Sequence, residues 1–222
     1  MGPSISFKYG ELIITVPKFS LESIDHMPEV RWRCGSCSLR GPRNSNEDRF
    51  ITINDICSMY NKGPDYKGVK FQGFYAVYDG HCGSHASDYL QEVLHTAIFN
   101  HPSYESDLST AILETCLESD RKFLDICKNT NSTSGTTALG VFIRGSVLTV
   151  FNIGDCQAVL CRAGKVPHNL NVPHKPGRPD ESARVIEVHF IFYFLFFIFY
   201  FTKYQILFIN IFYFIYFILF LF

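Results

Sequence analysis

The sequence has no excess of charge of either sign and no run of basic residues. Its 222 residues include 20 Lys and Arg against 21 Asp and Glu, which gives a formal net charge of −1. Binding to nucleic acid depends on clustered Lys and Arg that neutralise phosphates. We therefore expect no nucleic-acid partner. The apolar content of 47% is that of a folded protein and excludes a disordered chain.

Signals for secretion and for a structural zinc site are also missing. The N-terminus lacks the basic-then-apolar pattern of a signal peptide. Cys34 and Cys37 form one Cys-x-x-Cys pair, and no second pair follows at the spacing of a zinc site. We therefore expect free thiols in a reducing compartment, the cytoplasm or the nucleus.

Residues 188–222 differ from the rest of the chain. They contain no Asp, Glu, Gly, Ala, Ser or Pro, and they hold 13 of the 22 Phe. Residues 1–187 have ordinary composition and suffice for one hydrophobic core. We therefore expect an N-terminal extension over 1–30, a folded domain over 31–187 and a hydrophobic tail over 188–222.

The apolar patterns predict a mixed α and β domain. Strands are predicted at Leu12–Val16 (closed by Pro17), Asp48–Ile56, Phe71–Tyr78, Ala138–Ile143, Val147–Ile153 and Ala158–Cys161. Apolar residues at three- and four-residue spacing predict helices over Ser84–Phe99 and Asp107–Cys127. This order is typical of an α+β or layered α/β fold.

The strand predicted to end at Tyr78 is followed by Asp79, Gly80 and His81. A carboxylate at the end of a rigid strand suits a metal site, and the glycine allows close backbone approach. A histidine can move protons near neutral pH. Asp-Gly is also a common turn dipeptide, so both interpretations stay open.

Two further segments carry candidate residues. Arg43 can grip a phosphate with its guanidinium, and Glu47 and Asp48 are oxygen ligands suited to a hard divalent cation. Asp155 follows another predicted strand. A solvated loop and a hairpin corner are the alternative interpretations.

Five segments occur in a fixed order along the chain. They are Gly41–Asp48 (Gly-x-Arg-x-x-x-Glu-Asp), Phe74–His81 (Phe-x-x-Val-Tyr-Asp-Gly-His), Ser134–Ala138 (Ser-Gly-Thr-Thr-Ala), Asn152–Leu160 (Asn-x-Gly-Asp) and His174–Val185 (His-Lys-Pro, then Glu and Arg-Val). Together they resemble the metal-dependent protein Ser/Thr phosphatases of the PP2C (PPM) family. The resemblance implies an α+β fold, an α-β-β-α layered sandwich with two mainly antiparallel sheets, incomplete at its C-terminal side.

The resemblance also implies the roles of the site residues. Asp79 would bridge two Mn²⁺ or Mg²⁺ ions, the Gly80 carbonyl would bind one of them, and Glu47 would join the metal shell through water with Asp48 beside it. Arg43 would hold the substrate phosphate, and His81 would be the general acid for the leaving Ser or Thr oxygen. A water acidified by the ions would attack the phosphorus of a phosphoprotein substrate.

The chain departs from the family pattern at several positions. Cys82, Cys156-Gln157 and Pro173 replace a glycine, Ser-Arg and an acid. Two later aspartates of the family metal site have no counterpart, and Asp155 is a candidate for an additional metal-binding or structural acid. We therefore expect impaired phosphatase activity. The alternatives are an inactive pseudophosphatase and a membrane-tethered interaction module.

Two hypotheses account for the tail. Residues 190–222 are apolar enough to suggest a membrane segment, although residues 202–205 interrupt them. Alternatively, the tail is intron read-through, because 31 of its 35 residues are Phe, Ile, Tyr, Leu, Asn or Lys, which have codons of A and T alone. Val188, at its start, requires a codon that begins with GT, like most introns.

Overall fold

The structure is a computed structural model, and it describes residues 4–9, 12–20, 33–60, 72–145, 147–161 and 166–187. The chain divides into two compact units, Met1–Lys175 and Pro176–Phe222. The predicted tail at 188–222 lies outside the described residues.

The first unit contains ten strands and three helices within its described part. The strands are β1 (Ser4–Tyr9), β2 (Leu12–Ser20), β3 (Arg49–Ile53), β4 (Gln72–Tyr78), β5 (Gly80–His81), β6 (Gly135–Thr136), β7 (Ala138–Arg144), β8 (Val147–Ile153), β9 (Val159–Leu160) and β10 (His168–Asn169). The helices are α1 (Ile56–Met59), α2 (His85–Phe99) and α3 (Leu108–Thr130). Six strands form one antiparallel sheet in the order β1-β2-β8-β7-β4-β3, while β5 pairs with β6 and β9 with β10. The predicted α+β class with mainly antiparallel sheets is confirmed.

Helices α2 and α3 cover one face of the large sheet. Alternate residues of β4, including Phe74 and Tyr78, point into this core, as expected for a strand with a period of two. Phe74 packs on Phe142 with 4.6 Å between ring centroids. Both rings are fully buried, and burial of each stabilises the fold by about 1.5–3 kcal/mol.

The opposite face of the sheet has a smaller cluster. Leu139 and Val150 are buried there with Leu170, which follows β10. Val77, on the same face of β4, remains 44% exposed. The helix-covered face therefore holds most of the apolar core within the described residues.

The two long helices begin and end close to their predicted limits. Asp107 caps α3, because its carboxylate accepts hydrogen bonds from the N–H groups of Ser109 (3.1 Å) and Thr110 (3.2 Å). Asn131 ends it in the left-handed conformation, with φ 54°. The apolar spacing thus predicted both helices correctly.

The limits of two strands were predicted wrongly. The strand expected over Asp48–Ile56 stops at Ile53, because Asp55 accepts the N–H of Cys57 at 3.0 Å and starts α1. The strand expected to close before Pro17 continues to Ser20. Its pairing with β8 joins Thr15 to Asn152 and Lys18 to Thr149 but omits the two residues between, where proline has no N–H to donate.

The second unit is described only up to residue 187. Residues 179–187 are helical, and the guanidinium of Arg184 donates to the Glu181 carboxylate at 3.0 Å. No helix in the described ranges is long and apolar enough to cross a membrane.

Candidate active site

The antiparallel register brings four separate segments to one end of the large sheet. Arg49 pairs with Tyr78, at the start of β3 and the end of β4. Ala138 pairs with Ile153, at the start of β7 and the end of β8, and β7 lies beside β4. The residues just outside these ends, Asp48, Asp79, Thr137 and Asp155, therefore meet at one edge of the sheet.

Three of the predicted acids influence one another electrostatically. Burial raises the pKa of Asp79, and the negative charges of Asp48 and Asp155 raise it further, with the Asp48 carboxyl within hydrogen-bonding range. Arg43 acts in the opposite direction and lowers the pKa of Asp79. Like charges held close favour the protonated acid, and a bound cation would favour its ionised form. The structure thus brings together Asp79, Asp48, Asp155 and Arg43.

Gly80 lies where no side chain fits. An added Cβ would overlap the carbonyl oxygen of Glu47 and would lie 2.8 Å from the Ser87 hydroxyl oxygen. The residue must be glycine for the backbone after Asp79 to approach the Glu47 backbone this closely. The motif therefore has a steric reason here, beyond the turn tendency of Asp-Gly.

Glu47 and Asp48 are held through their backbone. The Ser87 hydroxyl, on α2, donates to the Glu47 carbonyl at 2.5 Å. The Asp48 N–H donates to the side-chain oxygen of Asn46 at 3.1 Å. The Glu47 carboxylate accepts a hydrogen bond from the Ser45 hydroxyl at 3.3 Å, and the Glu47 residue is partly exposed to solvent. The predicted acidic pair is thus fixed at its backbone.

Thr137 holds the backbone of Asp79. Its N–H donates to the Asp79 carbonyl at 2.9 Å, and its hydroxyl oxygen accepts the Asp79 N–H at 3.0 Å. That hydroxyl also lies 3.1 Å from the sulfur of Cys156. Burial raises the pKa of the Cys156 thiol, the hydrogen bond with Thr137 lowers it in part, and the nearby acids raise it further, so the protonated thiol is favoured.

The loop that carries Asp155 is fixed by Gly154. This glycine has φ +99°, and an added Cβ would lie 2.7 Å from the Thr137 methyl carbon. Its carbonyl accepts hydrogen bonds from the Asn152 side chain (2.8 Å) and from the His174 N–H (2.9 Å). The predicted family segments that contain Asn152, Gly154 and His174 thus meet in one loop arrangement.

His81 lies beside the acids along the chain but faces other residues. It pairs with Gly135 in the short β5–β6 ladder, and its ring packs directly over that glycine. The ring also lines a cavity of about 260 Å³ between α2 and α3. The imidazole makes no hydrogen bond or ion pair with the described residues, and the role of His81 as general acid stays a prediction. The next residue, Cys82, has φ +57°, a conformation that favours glycine.

A groove of about 530 Å³ runs from the acids along the strands. Asp48 and Asp79 lie in its lining together with Tyr75 and Val77. Carboxylates of this kind fit a hard divalent cation. Within the described residues, however, no group of three or more His, Cys, Asp or Glu has the arrangement of a metal site. The carboxylates in the groove are therefore the right type of ligand for such a cation, but the described residues supply fewer of them than a complete metal site needs.

Sequence reasoning missed two residues that shape the site. Thr137 belongs to one of the family segments but was given no role, although its position in that segment was an available signal. Ser87 lies in the first turn of the amphipathic helix α2, and its partner at Glu47 is 40 residues away. No local pattern marks such a contact.

Comparison with known protein families agrees with this geometry. The sequence model described as "Protein phosphatase 2C" matches residues 32–192, which is more than half of the chain. This range extends five residues past the predicted domain end at 187.

Individual relatives are similar over the same region. The chain is 34% identical over 156 residues to "Probable protein phosphatase 2C 76" of Arabidopsis thaliana, a match that covers 68% of this chain and 34% of the relative. It is 30% identical over 158 residues to "Protein phosphatase 1F" of Rattus norvegicus, covering 71% and 34%.

Solved structures show the same fold. A serine-threonine phosphatase 2C from Toxoplasma gondii superposes with a TM-score of 0.55 at 18% identity, over 84% of this chain and 59% of that one. A C. elegans sex determining protein gives 0.56 at 18% identity, over 82% and 39%. This chain spans about a third of the length of the first curated relatives that it matches. Motif order, sheet-end geometry and family match together show that the chain belongs to the protein phosphatase 2C family.

Proposed function

We propose that the protein is a metal-dependent phosphatase that hydrolyses phosphoserine and phosphothreonine in proteins. The observation that carries this proposal is the cluster of Asp79, Asp48 and Asp155, with Arg43 nearby, at one end of the sheet. Burial and then the negative charges of Asp48 and Asp155 raise the pKa of Asp79, and a cation bound among these carboxylates would offset their repulsion.

The residues at the sheet end have distinct proposed roles. Asp79 and the Gly80 carbonyl would hold two Mn²⁺ or Mg²⁺ ions, with Glu47 and Asp48 in the surrounding shell. When bound, the ions would acidify a water for in-line attack on phosphorus. Thr137 and Ser87 fix the backbone of these ligands, which limits the reorganisation needed when a cation binds.

Arg43 and His81 would act on the substrate. The exposed Arg43 guanidinium can donate two hydrogen bonds to a phosphate, and its positive charge reaches the acid cluster. His81 would donate a proton to the leaving oxygen of Ser or Thr, which requires its ring to turn from Gly135 toward the groove.

The donor set described here is small, and this favours a second candidate function. No three-ligand group occurs among the described side chains. A domain that kept the fold with too few ligands would act as a non-catalytic binding module for phosphorylated proteins. Low activity of the 222-residue chain is therefore the expected result, with residual turnover that depends on Mn²⁺.

Hydrolysis of a phosphothreonine peptide separates the two functions. Slow Mn²⁺-dependent release of phosphate should disappear in Asp79→Ala and persist in Asp125→Ala, an exposed carboxylate on α3 that serves as the matched control. Turnover that survives Asp79→Ala would contradict the proposed site. Binding of the phosphopeptide without any turnover would favour the binding module.

A further inference from the structure

We propose that Ser87 is a positioning residue that holds the Glu47–Asp48 pair against Gly80. Helix α2 would then determine where these acids lie relative to Asp79. The inference deepens the proposed function and rests on it to the extent that these acids serve a metal site.

The Ser87 hydroxyl has a buried and specific partner. Ser87 is fully buried, at 0% exposure, and its oxygen lies 2.5 Å from the Glu47 carbonyl oxygen. The Ser84 carbonyl, one helical turn back, is a second acceptor at 3.0 Å. The hydroxyl has one proton, and the shorter distance favours donation to Glu47.

The Glu47 carbonyl depends on this donor. Among the described residues, no other donor reaches its oxygen. Loss of the hydroxyl would leave the carbonyl unsatisfied where Gly80 approaches it too closely for a Cβ to fit. A carbonyl without a partner in such a place tends to move toward water. The Glu47–Asp48 segment would move with it, away from Asp79.

Neighbouring residues of α2 hold the following positions of the same segment. Asp88 forms an ion pair with Arg49 at 2.6 Å, and the Gln91 side chain donates to the Phe50 carbonyl at 2.6 Å. The Asp88 carboxylate is half exposed, so solvent screens this pair and it contributes little. The Arg49 guanidinium also donates to the carbonyls of Asn46 (3.0 Å) and Asp48 (2.8 Å), so Ser87 is the donor to the Glu47 carbonyl that lies between them.

A purely structural role for Ser87 is the competing explanation, and Ser109 provides the control. Ser109 is a buried helical serine with 1% exposure, and its hydroxyl has no hydrogen-bond partner among the residues that the structure describes. Ser109→Ala removes a buried hydroxyl and leaves every carbonyl near the acids with its donor. Ser87→Ala also removes a buried hydroxyl, but it leaves the Glu47 carbonyl without its donor.

Hydrogen exchange of the metal-free 222-residue chain tests the inference. Amides of residues 47–50 should exchange at least five-fold faster in Ser87→Ala than in Ser109→Ala, while α3 amides away from the substitutions stay equal in both. Ser87→Cys, which has nearly the same shape and a weaker donor, should give intermediate rates and covers the case in which the alanine variant fails to fold. Equal exchange at 47–50 in the Ser87 and Ser109 variants would overturn the inference.

Binding of Mn²⁺ adds a second readout. Mn²⁺ affinity, measured from the signal of the free ion, should fall at least three-fold in Ser87→Ala relative to Ser109→Ala. Equal affinities would limit Ser87 to a structural role and overturn the inference. Wild-type protein that takes up no Mn²⁺ would contradict the proposed function, whereas the exchange comparison would still decide the role of Ser87.

Discussion

Thr137 holds Asp79 by both polar groups of the aspartate backbone. The Thr137 N–H donates to the Asp79 carbonyl, and the Thr137 hydroxyl accepts the Asp79 N–H, at 2.9 and 3.0 Å. These two residues are 58 positions apart and lie just outside neighbouring strands, β4 and β7. The backbone of the residue that carries the proposed function is therefore anchored to the neighbouring strand β7.

Removal of the Thr137 hydroxyl should destabilise the fold. Thr137→Val keeps the branched shape but removes the acceptor of the Asp79 N–H, which lies in an exposed position, and we expect a loss of about 0.5–1.5 kcal/mol in the free energy of unfolding. Thr137→Ser retains the hydroxyl and should lose less. Urea titration followed by circular dichroism measures both, and equal losses in the two variants would show that the hydrogen bond is not what matters.

Gly80 should not tolerate a side chain. Gly80→Ala places a methyl group against the Glu47 carbonyl oxygen and near Ser87, and overpacking of this kind costs about 1–3 kcal/mol. Gly35→Ala is the matched control, because nothing lies within 4 Å of its added methyl group. Thermal unfolding compares them. A Gly80→Ala variant as stable as Gly35→Ala would contradict the close contact between the Gly80 backbone and the Glu47 carbonyl oxygen.

The two aspartates Asp79 and Asp88 should affect pH-dependent stability in opposite directions. The pKa of Asp79 is raised in the fold, so the folded state binds its proton more tightly than the unfolded chain does. Its stabilising contribution is complete below the ordinary carboxyl pKa and is lost as pH rises through the folded value. Asp79→Asn should therefore make the metal-free protein more stable at neutral pH, by a margin that shrinks on acidification.

Asp88 provides the comparison. Partial burial raises its pKa, but hydrogen bonds from Ser84 and Arg49 outweigh this, and the pKa of Asp88 lies below its ordinary value. Its contribution is present at neutral pH and is lost as pH falls through the folded value. Asp88→Asn should therefore destabilise the protein at neutral pH. Denaturant titrations with a chelator, at neutral pH and near pH 4, measure both variants: a less stable Asp79→Asn protein at neutral pH would refute the Asp79 assignment, and a more stable Asp88→Asn protein would refute the Asp88 assignment.

Several parts of the fold could be predicted because their signals are local. The apolar spacing of α2 and α3 and the aromatic run of β4 each depend on residues close in sequence. The order of the family segments located Asp79, Asp48 and Arg43, which the sheet register then brings together. The sequence motif identified Gly80 as a site residue. Only the structure shows why a side chain does not fit there, because an added Cβ would overlap the Glu47 carbonyl oxygen.

Other features depend on distant partners and could not be predicted. Strand β2 continues past Pro17 because β8 pairs with it from Asn152 to Val147. Ser87 and Thr137 act on residues 40 and 58 positions away, so their own neighbourhood does not identify these partners, although Thr137 lies in a family segment. The direction of the His81 ring depends on the β5–β6 ladder, which joins it to Gly135.

Direct measurement of Mn²⁺ binding tests the central claim that the acids at the sheet end form a cation site. Titration of the 222-residue chain, followed by the paramagnetic resonance signal of free Mn²⁺, should reveal a saturable class of sites. This class should be lost in Asp79→Asn and retained in Asp125→Asn. Saturable binding that is the same in wild type and Asp79→Asn, or no binding in wild type, would contradict the account.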